Sequence, residues 1–383
     1  MSRGIAAGEF QSFASPCVKL EFASSLTRPL FFSRENMILF AAFALFAFAF
    51  VPAGVLYQRL GSLRDRRIFT REGRWIAVGD GRRLYALERG VDGLTVVFES
   101  GIAATSLNWS RVQQEVSRGA GTLSYDRAGL GWSSASLNAP TPSNVASELH
   151  AMLQAAQIKP PYVLVGHSFG GFVMRRFALT YPEEVASMVL IDPMRCEEWP
   201  PINAAKQAVV DRGARLARYA IPIAQLGVAR LAVTSLLCGS GRTTRWLEGF
   251  GGDGTQHVMG RIRQEIGKIP RATWPALAAH WSRPAFYAGV CAHLQSIPDT
   301  VREMSAAAPV RGVPVLVLTP DSTTPLTDEQ LRAIGDQARQ VIVPDSAHWV
   351  HLDQPEMVIE AIREAVEAAR IAQAGAQTMS EAT

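Results

Sequence analysis

The sequence predicts an α/β fold: a mostly parallel sheet covered by helices on both faces, with one helical insertion and an apolar helix ahead of it. Three observations carry this reading. Short runs rich in Val, Leu, Ile and Tyr alternate with helical patterns, a long stretch without strands interrupts the alternation once, and an uncharged apolar run of bilayer length precedes the whole.

Composition supports a globular body. Of 383 residues, 48% are apolar, 19% charged and 8% aromatic, enough to bury a sizeable core. Lys+Arg number 38 against 34 Asp+Glu, a formal charge of +4, and much of the excess lies in Arg59, Arg64, Arg66, Arg67, Arg71 and Arg74. A basic stretch beside an apolar run is a membrane-flanking pattern. A nucleic-acid partner is not expected, since that would need a basic face with groove-reading elements. Cys17, Cys196, Cys238 and Cys291 are scattered without a C-x-x-C pair, so neither a zinc cage nor a disulfide framework is expected.

Residues 1–36 show no convincing period and are expected to be disordered or untranslated, because Met37 stands at the front of the apolar run as a second candidate start. Met37 to Tyr57 carries no charge and as a helix would span roughly 31 Å, the thickness of a bilayer core. No A-x-A site closes the run and arginines follow it, so an uncleaved transmembrane anchor is favoured over a cleaved signal peptide or a buried helix. Pro52 is tolerated near its far end. Six arginines follow the run within 20 residues and three basic residues precede it (Lys19, Arg28, Arg34), which places the body on the cytoplasmic side. Residues 58–73 read as a basic linker.

The body opens with a hairpin: Arg74 to Val78 and Arg83 to Leu87 flank a Gly79-Asp80-Gly81 turn. Strand-like runs follow at Leu94 to Phe98, Thr122 to Tyr125, Tyr162 to Val165, Met188 to Ile191, Val313 to Leu318 and Val341 to Val343. Helical patterns lie between them, as at Asn144 to Gln157, Gly171 to Leu179 and Pro355 to Ala369. Between Asp192 and about Pro309 only apolar helical stretches occur, Ala204 to Leu237 and Trp274 to Val290, broken by the Gly-rich Gly239 to Gly254. Such an excursion reads as a helical lid. The organisation is thus core at 74–192, lid at 193–309, core again at 310–372, and a flexible tail at 373–383.

Gly166-His167-Ser168-Phe169-Gly170 follows a strand and opens a helix, the strand-turn-helix setting that makes Ser168 a nucleophile. The glycines are needed because the turn is sharp, and the new helix aims free N–H groups at the reacting oxygen. A hydroxyl needs an adjacent base. His348, in Ser346-Ala347-His348-Trp349-Val350-His351, lies between the last strand and the last helix, where ligands bind in such sheets. His351 is read as a supporting residue and is the lesser candidate for the base; the resemblance described below favours His348. His167 packs beside the nucleophile, and His150, His257, His280 and His293 receive no role. The orienting acid is Asp321 or Asp192: both follow strands and both satisfy the order Ser…Asp…His, with Asp321 preferred and Asp328 and Asp345 as lesser candidates. Oxyanion donors are the N–H of Phe169 and, in Glu99-Ser100-Gly101-Ile102-Ala103, that of Ile102, with Ala103 as alternative. In Tyr125-Asp126-Arg127-Ala128-Gly129-Leu130-Gly131, Asp126 and Arg127 tie neighbouring loops.

Taken in order, ESGIAATSLNW, YDRAGLGWS, PYVLVGHSFGG, VLIDP and SAHWVHLDQPE resemble the alpha/beta-hydrolase fold family, specifically its lipase-like and esterase-like serine hydrolases with a helical cap. The resemblance covers roughly Arg74 to Ala369. It implies an eight-stranded sheet, a nucleophile at Ser168, a base at His348, oxyanion donors at Ile102 and Phe169, and no metal or organic cofactor. It departs from the family at Ser100, where histidine is frequent, and at Thr319-Pro320-Asp321, where many members carry G-x-x-D; the second departure keeps Asp192 in play. Members that open epoxides or remove halide have aspartate in place of Ser168. The expected activity is a membrane-anchored serine hydrolase acting on a hydrophobic ester or related acyl substrate. An acyltransferase or carbon–carbon bond hydrolase would use the same triad, and a binding protein on this fold is the remaining alternative.

Overall fold

The computed structural model describes residues 34–91, 93–238 and 266–381. The chain divides into two compact units, one up to Phe50 and one from Val51 onward. Of the first, the described residues are the opening turns of helix α1 (Arg34–Phe69). The side chains of residues 39–47 lie outside the described part, and with them most of the apolar run. Among the described residues, no single helix is long and apolar enough to cross a membrane. From residue 58 the expected basic linker is the last part of α1, since no Gly or Pro interrupts residues 62–69 and the arginines are good helix formers.

The second unit is built on one eight-stranded sheet in the order β1-β2-β4-β3-β5-β6-β7-β8. The hairpin β1 (Arg74–Ala77) and β2 (Arg83–Arg89) pairs antiparallel, and β2 pairs antiparallel with β4 (Gly121–Asp126). The remaining pairs are parallel, through β3 (Thr95–Glu99), β5 (Tyr162–His167), β6 (Val185–Ile191), β7 (Val315–Pro320) and β8 (Ala338–Val343). Alternate residues of each central strand enter different cores. Val97, Leu164, Leu190 and Val317 face α3 (Pro142–Ala155) and α4 (Phe169–Thr180), whereas Val96, Val165, Val189 and Leu316 face α2 (Ser110–Val116) and α11 (Pro355–Glu381). Burial on both faces explains why these strands are continuous apolar runs in the sequence.

The insertion between β6 and β7 contains α5 (Gln207–Gln225), α6 (Val228–Cys238), α7 (Trp274–Trp281) and α8 (Pro284–Ser305). The first apolar stretch is two helices rather than one, because Gly227 takes a φ of 75° and the chain bends by 96° there. Gly239 to Gly254 and His257 lie outside the described residues. After β7 come α9 (Asp328–Ile334), the short α10 (Val350–Asp353) and α11, which runs on to Glu381 into the segment expected as a flexible tail. Because β3 has β4 on one side and β5 on the other, the connections leaving β3 and β5 diverge. A crevice opens at their carboxyl ends.

Candidate active site

At that crevice Ser168 joins β5 to α4 with φ 55° and ψ −120°, a strained conformation for a residue with a side chain. Three backbone bonds hold it. Its N–H donates to Ile191 O at 3.0 Å, and its carbonyl accepts from Gly171 N at 3.0 Å and Met194 N at 3.1 Å. The glycines are demanded by close approach: a methyl on Gly166 would sit 2.6 Å from Gly170 O, and one on Gly170 would collide with the Glu99 carbonyl. Phe169 is the first residue of α4, so its N–H has no intrahelical acceptor.

His348 stands on the loop after β8, and its Nδ1 lies 2.7 Å from Asp192 Oδ2. Asp192 directly follows β6, the strand beside β5, in a left-handed conformation with φ 37°; its N–H donates to Leu318 O at 2.8 Å. The carboxylate side chain is 11% exposed and the imidazole 51%, so the pair is shielded on the acid side and open on the other. A proton on Nδ1, held by the carboxylate, leaves Nε2 free to accept one. His167 braces this arrangement, since its Nε2 lies 2.8 Å from the His348 carbonyl oxygen and donates to it. Burial holds His167 well below the ordinary histidine range, which keeps the ring neutral.

Asp321, the preferred acid by sequence, is engaged elsewhere. Its carboxylate accepts from Asp345 N at 2.9 Å and Ser346 N at 3.1 Å, which tightens the turn leading to His348 and lowers its pKa. Asp353 supports the same loop from below, accepting from Ala347 N at 2.9 Å while paired with Lys268 at 2.8 Å. Asp345 supplies backbone to this turn, with φ 51°, and Asp328 opens α9. His351 is buried and stacked on Trp109 with ring centroids 4.5 Å apart, and burial pushes its pKa down to about 3. It packs and does not contact Asp192. Among the described residues, no group of His, Cys, Asp or Glu could hold a metal ion.

The loop after β3 meets the elbow directly: a methyl on Gly101 would lie 3.3 Å from Ser168 Cβ. Ile102 N–H has no backbone acceptor among the described residues, and Ala103 takes φ 62°. Arg127 organises both candidate donors. Its Nη2 donates to Gly101 O at 2.5 Å, and that carbonyl belongs to the same peptide unit as Ile102 N–H. Its guanidinium carbon lies 4.8 Å from the Phe169 ring centre, and its Nη1 is 3.2 Å from Glu99 Oε1, both side chains only 2% exposed. Tyr125 OH donates to the second Glu99 oxygen. Asp126 ties loops, as its sequence position suggests, by accepting from Ser106 N and Oγ (3.0 and 2.8 Å) and from Trp132 N (2.9 Å). The Arg127 contact with the Gly101 carbonyl is invisible to sequence; the one available signal was a charged pair, Glu99 and Arg127, at two neighbouring strand ends.

Beside Ile102 is an apolar cavity of about 130 Å³, bounded also by Ala104, Leu277, Trp281, Phe286 and Trp349. Ile102, Ala104 and Trp349 stand in motifs quoted above, whereas Leu277, Trp281 and Phe286 carry none; α7, α8, the loop after β3 and the histidine loop bring them together. A larger cleft of about 780 Å³ lies at the opposite, amino-terminal ends of β3, β4 and β5, lined by Thr95, Gly121 and Lys159, far from every group described above. Of the two, the small apolar cavity adjoins the groups described above, through Ile102 and through Trp349 beside His348.

Comparison with known proteins places the chain in a class. Residues 95–355 match the family described as alpha/beta hydrolase fold. The chain belongs to that family. Among curated relatives it is similar to the uncharacterised protein YqjL of Bacillus subtilis, 36% identical over 105 residues, 27% of this chain and 42% of YqjL. It also resembles an AB hydrolase superfamily protein of Gibberella zeae, 34% identical over 94 residues, 24% of this chain and 29% of that protein. The matched stretches thus span less than half the length of these relatives. Among solved structures, Cfl2 of Burkholderia cenocepacia superposes with a TM-score of 0.59 at 21% identity, covering 76% of this chain and 94% of that one. A thermophilic esterase from Thermogutta terrifontis gives 0.53 at 20% identity, covering 78% and 98%.

Proposed function

We propose that the protein is a membrane-anchored serine hydrolase that cleaves a carboxylic ester or related acyl bond. The observation that carries the reading is the His348–Asp192 pair at 2.7 Å beside the strained Ser168 elbow. Membership of a hydrolase family and the likeness to an esterase structure support it. Ser168 Oγ attacks the carbonyl carbon while His348 Nε2 takes its proton, and Asp192 holds the imidazolium through Nδ1. The carbonyl oxygen becomes an oxyanion that accepts from the N–H groups of Ile102 and Phe169. Collapse breaks the acyl bond, and His348 returns the proton to the leaving group. Water then attacks the acyl enzyme with His348 again as base, which releases the acid and frees Ser168. The apolar cavity beside Ile102 is far below the roughly 300 Å³ of a typical ligand pocket, so it suits a small apolar acyl group. The helices between β6 and β7 serve as the lid, and the run Met37 to Tyr57 as the anchor.

The test is hydrolysis of short- and medium-chain p-nitrophenyl esters by the full chain in detergent. Turnover abolished by Ser168→Ala is the expected result, and Ser168-independent turnover, or none in wild type, would remove the proposal.

A further inference from the structure

Outside the crevice, one charged side chain is buried without a counter-charge. Arg175 lies on α4, about two turns past Ser168, and is 7% exposed. Its Nη2 donates to the Ala333 carbonyl at 2.8 Å, near the end of α9, where a cation complements the helix dipole. That bond uses one of the roughly five N–H groups a guanidinium carries. Nε is buried with no hydrogen-bond partner, and among the described residues no carboxylate lies within ion-pair distance of the group. Burial pushes its pKa down to about 10, so it is still charged at neutral pH. Arginine is almost never buried to this extent unless paired.

Beside it is a cavity. Arg175 forms part of the wall of a space of about 300 Å³ bounded by α4, the chain after β6, the end of α8 and α9, at the lower end of the range for small-molecule pockets. Ser168, His348 and Ile102 have no part in this wall. The wall is largely apolar, with Phe172, Met194, Met304 and Leu326. Its other charged groups have partners already: Arg195 Nε lies 3.8 Å from Glu198, and the Glu197 carboxylate accepts from the Gln330 amide. Cys196, also in the wall, could supply a counter-charge only as a thiolate. Burial pushes its pKa up from 9.0, so it stays a neutral thiol. One unpaired cation in an apolar wall suits a monoanion with a short hydrocarbon chain, and the planar guanidinium fork matches a carboxylate.

We propose that this cavity binds a small monocarboxylate, its charged end on Arg175 and its chain among Phe172, Met194, Met304 and Leu326. The inference does not depend on the reaction proposed above. The occupant lies against the segment that follows Asp192, where Met194 N–H donates to the Ser168 carbonyl at 3.1 Å and Pro193 lies against Gly171. A carboxylate bound there therefore touches the chain that holds the turn at Ser168, without entering the crevice.

The test is an NMR titration of the full chain in detergent with hexanoate and with hexanamide, its uncharged counterpart, in wild type, Arg175→Met and Ala307→Trp. Methionine keeps an apolar stem and removes the charge. Tryptophan at position 307, in the cavity wall, fills the space and leaves Arg175 with its bond to Ala333, so the site is tested even where the first variant fails to fold. Wild type is expected to bind hexanoate at least tenfold more tightly than hexanamide. Arg175→Met is expected to lose at least tenfold in hexanoate affinity and with it the preference for the acid, and Ala307→Trp to lose hexanoate. No binding in wild type, or wild-type affinity in either folded variant, which would place the ligand elsewhere, would overturn the proposal. Inorganic phosphate at equal concentration is expected not to displace hexanoate; displacement would make this a plain anion site and overturn the role of the apolar wall.

Discussion

Asp192 and His348 stand 2.7 Å apart, although 156 residues separate them in the chain. The contact joins the end of β6 to the loop after β8, and the Asp192 backbone is held in place by its N–H donating to the Leu318 carbonyl. Asp192 is the acid that orients the base in the proposed mechanism. Asparagine at this position keeps the size but favours the wrong imidazole tautomer, so Asp192→Asn is expected to lower kcat by about 10³–10⁴ with little change in KM. Steady-state ester hydrolysis reads this directly.

Asp321 behaves differently. Asp321→Asn is expected to leave kcat within about threefold of wild type, while melting falls because two backbone N–H groups of the His348 loop lose a charged acceptor. Its carboxyl is held below the ordinary value of 3.8, so the stabilisation is present above that pH and lost as pH falls through the lowered value. The wild type and Asp321→Asn melting curves should therefore converge in strong acid.

Arg127 offers a test of oxyanion geometry. Removing it alone strands the Glu99 carboxylate in the core, which costs about 3–5 kcal/mol. The double variant Glu99→Gln/Arg127→Met avoids that charge and is expected to fold, yet to lose about 10–100-fold in kcat because the Gly101–Ile102 peptide is no longer held. A KM close to wild type separates this from general loosening of the site.

Four histidines are kept neutral by burial: His280, His293 and His351 are each pushed down to about 3, and His167 lies well below its ordinary value. Unfolding lets each take a proton below its unfolded pKa near 6.5, so stability falls as pH drops from 6.5 toward 3, with a slope of up to about 1.4 kcal/mol per pH unit for each ring. His351→Phe, which keeps the stacking on Trp109, is expected to flatten the melting temperature against pH in this window. An unchanged slope would mean that His351 is already charged in the folded protein.

The elbow glycines permit no side chain. Gly170→Ala drives a methyl into the Glu99 backbone carbonyl, which cannot swing aside, and is expected to abolish soluble expression or lower the melting temperature by more than about 10 °C.

The parts of the fold and site that were legible in the sequence are those encoded locally. The elbow is a strand, a glycine-bounded serine and a helix in sequence, so Ser168 and the neighbouring Phe169 could be singled out without a structure. The His348 loop is likewise marked by its place between the last strand and the last helix. The acid was not legible, because Asp192 and Asp321 both end strands and the choice depends on which carboxylate is free. Asp321 is spent on the backbone of Asp345 and Ser346. The helix α2 and the full length of β8 also escaped: α2 has only seven residues, and β8 carries the exposed Arg339 and the half-exposed Gln340. Continuation of α1 beyond residue 57 was hidden by its charge, which suits a helix as well as a linker.

The most direct measurement of the central claim is labelling by a fluorophosphonate probe, which reacts only with an activated serine, in wild type and in Ser168→Ala, His348→Ala, Asp192→Asn and Asp321→Asn. The expected result is rapid labelling of wild type and Asp321→Asn, none of Ser168→Ala, and labelling slowed at least 100-fold in His348→Ala and Asp192→Asn. Labelling that survives in Ser168→Ala, or that falls in Asp321→Asn while persisting in Asp192→Asn, would contradict the assignment of nucleophile and acid.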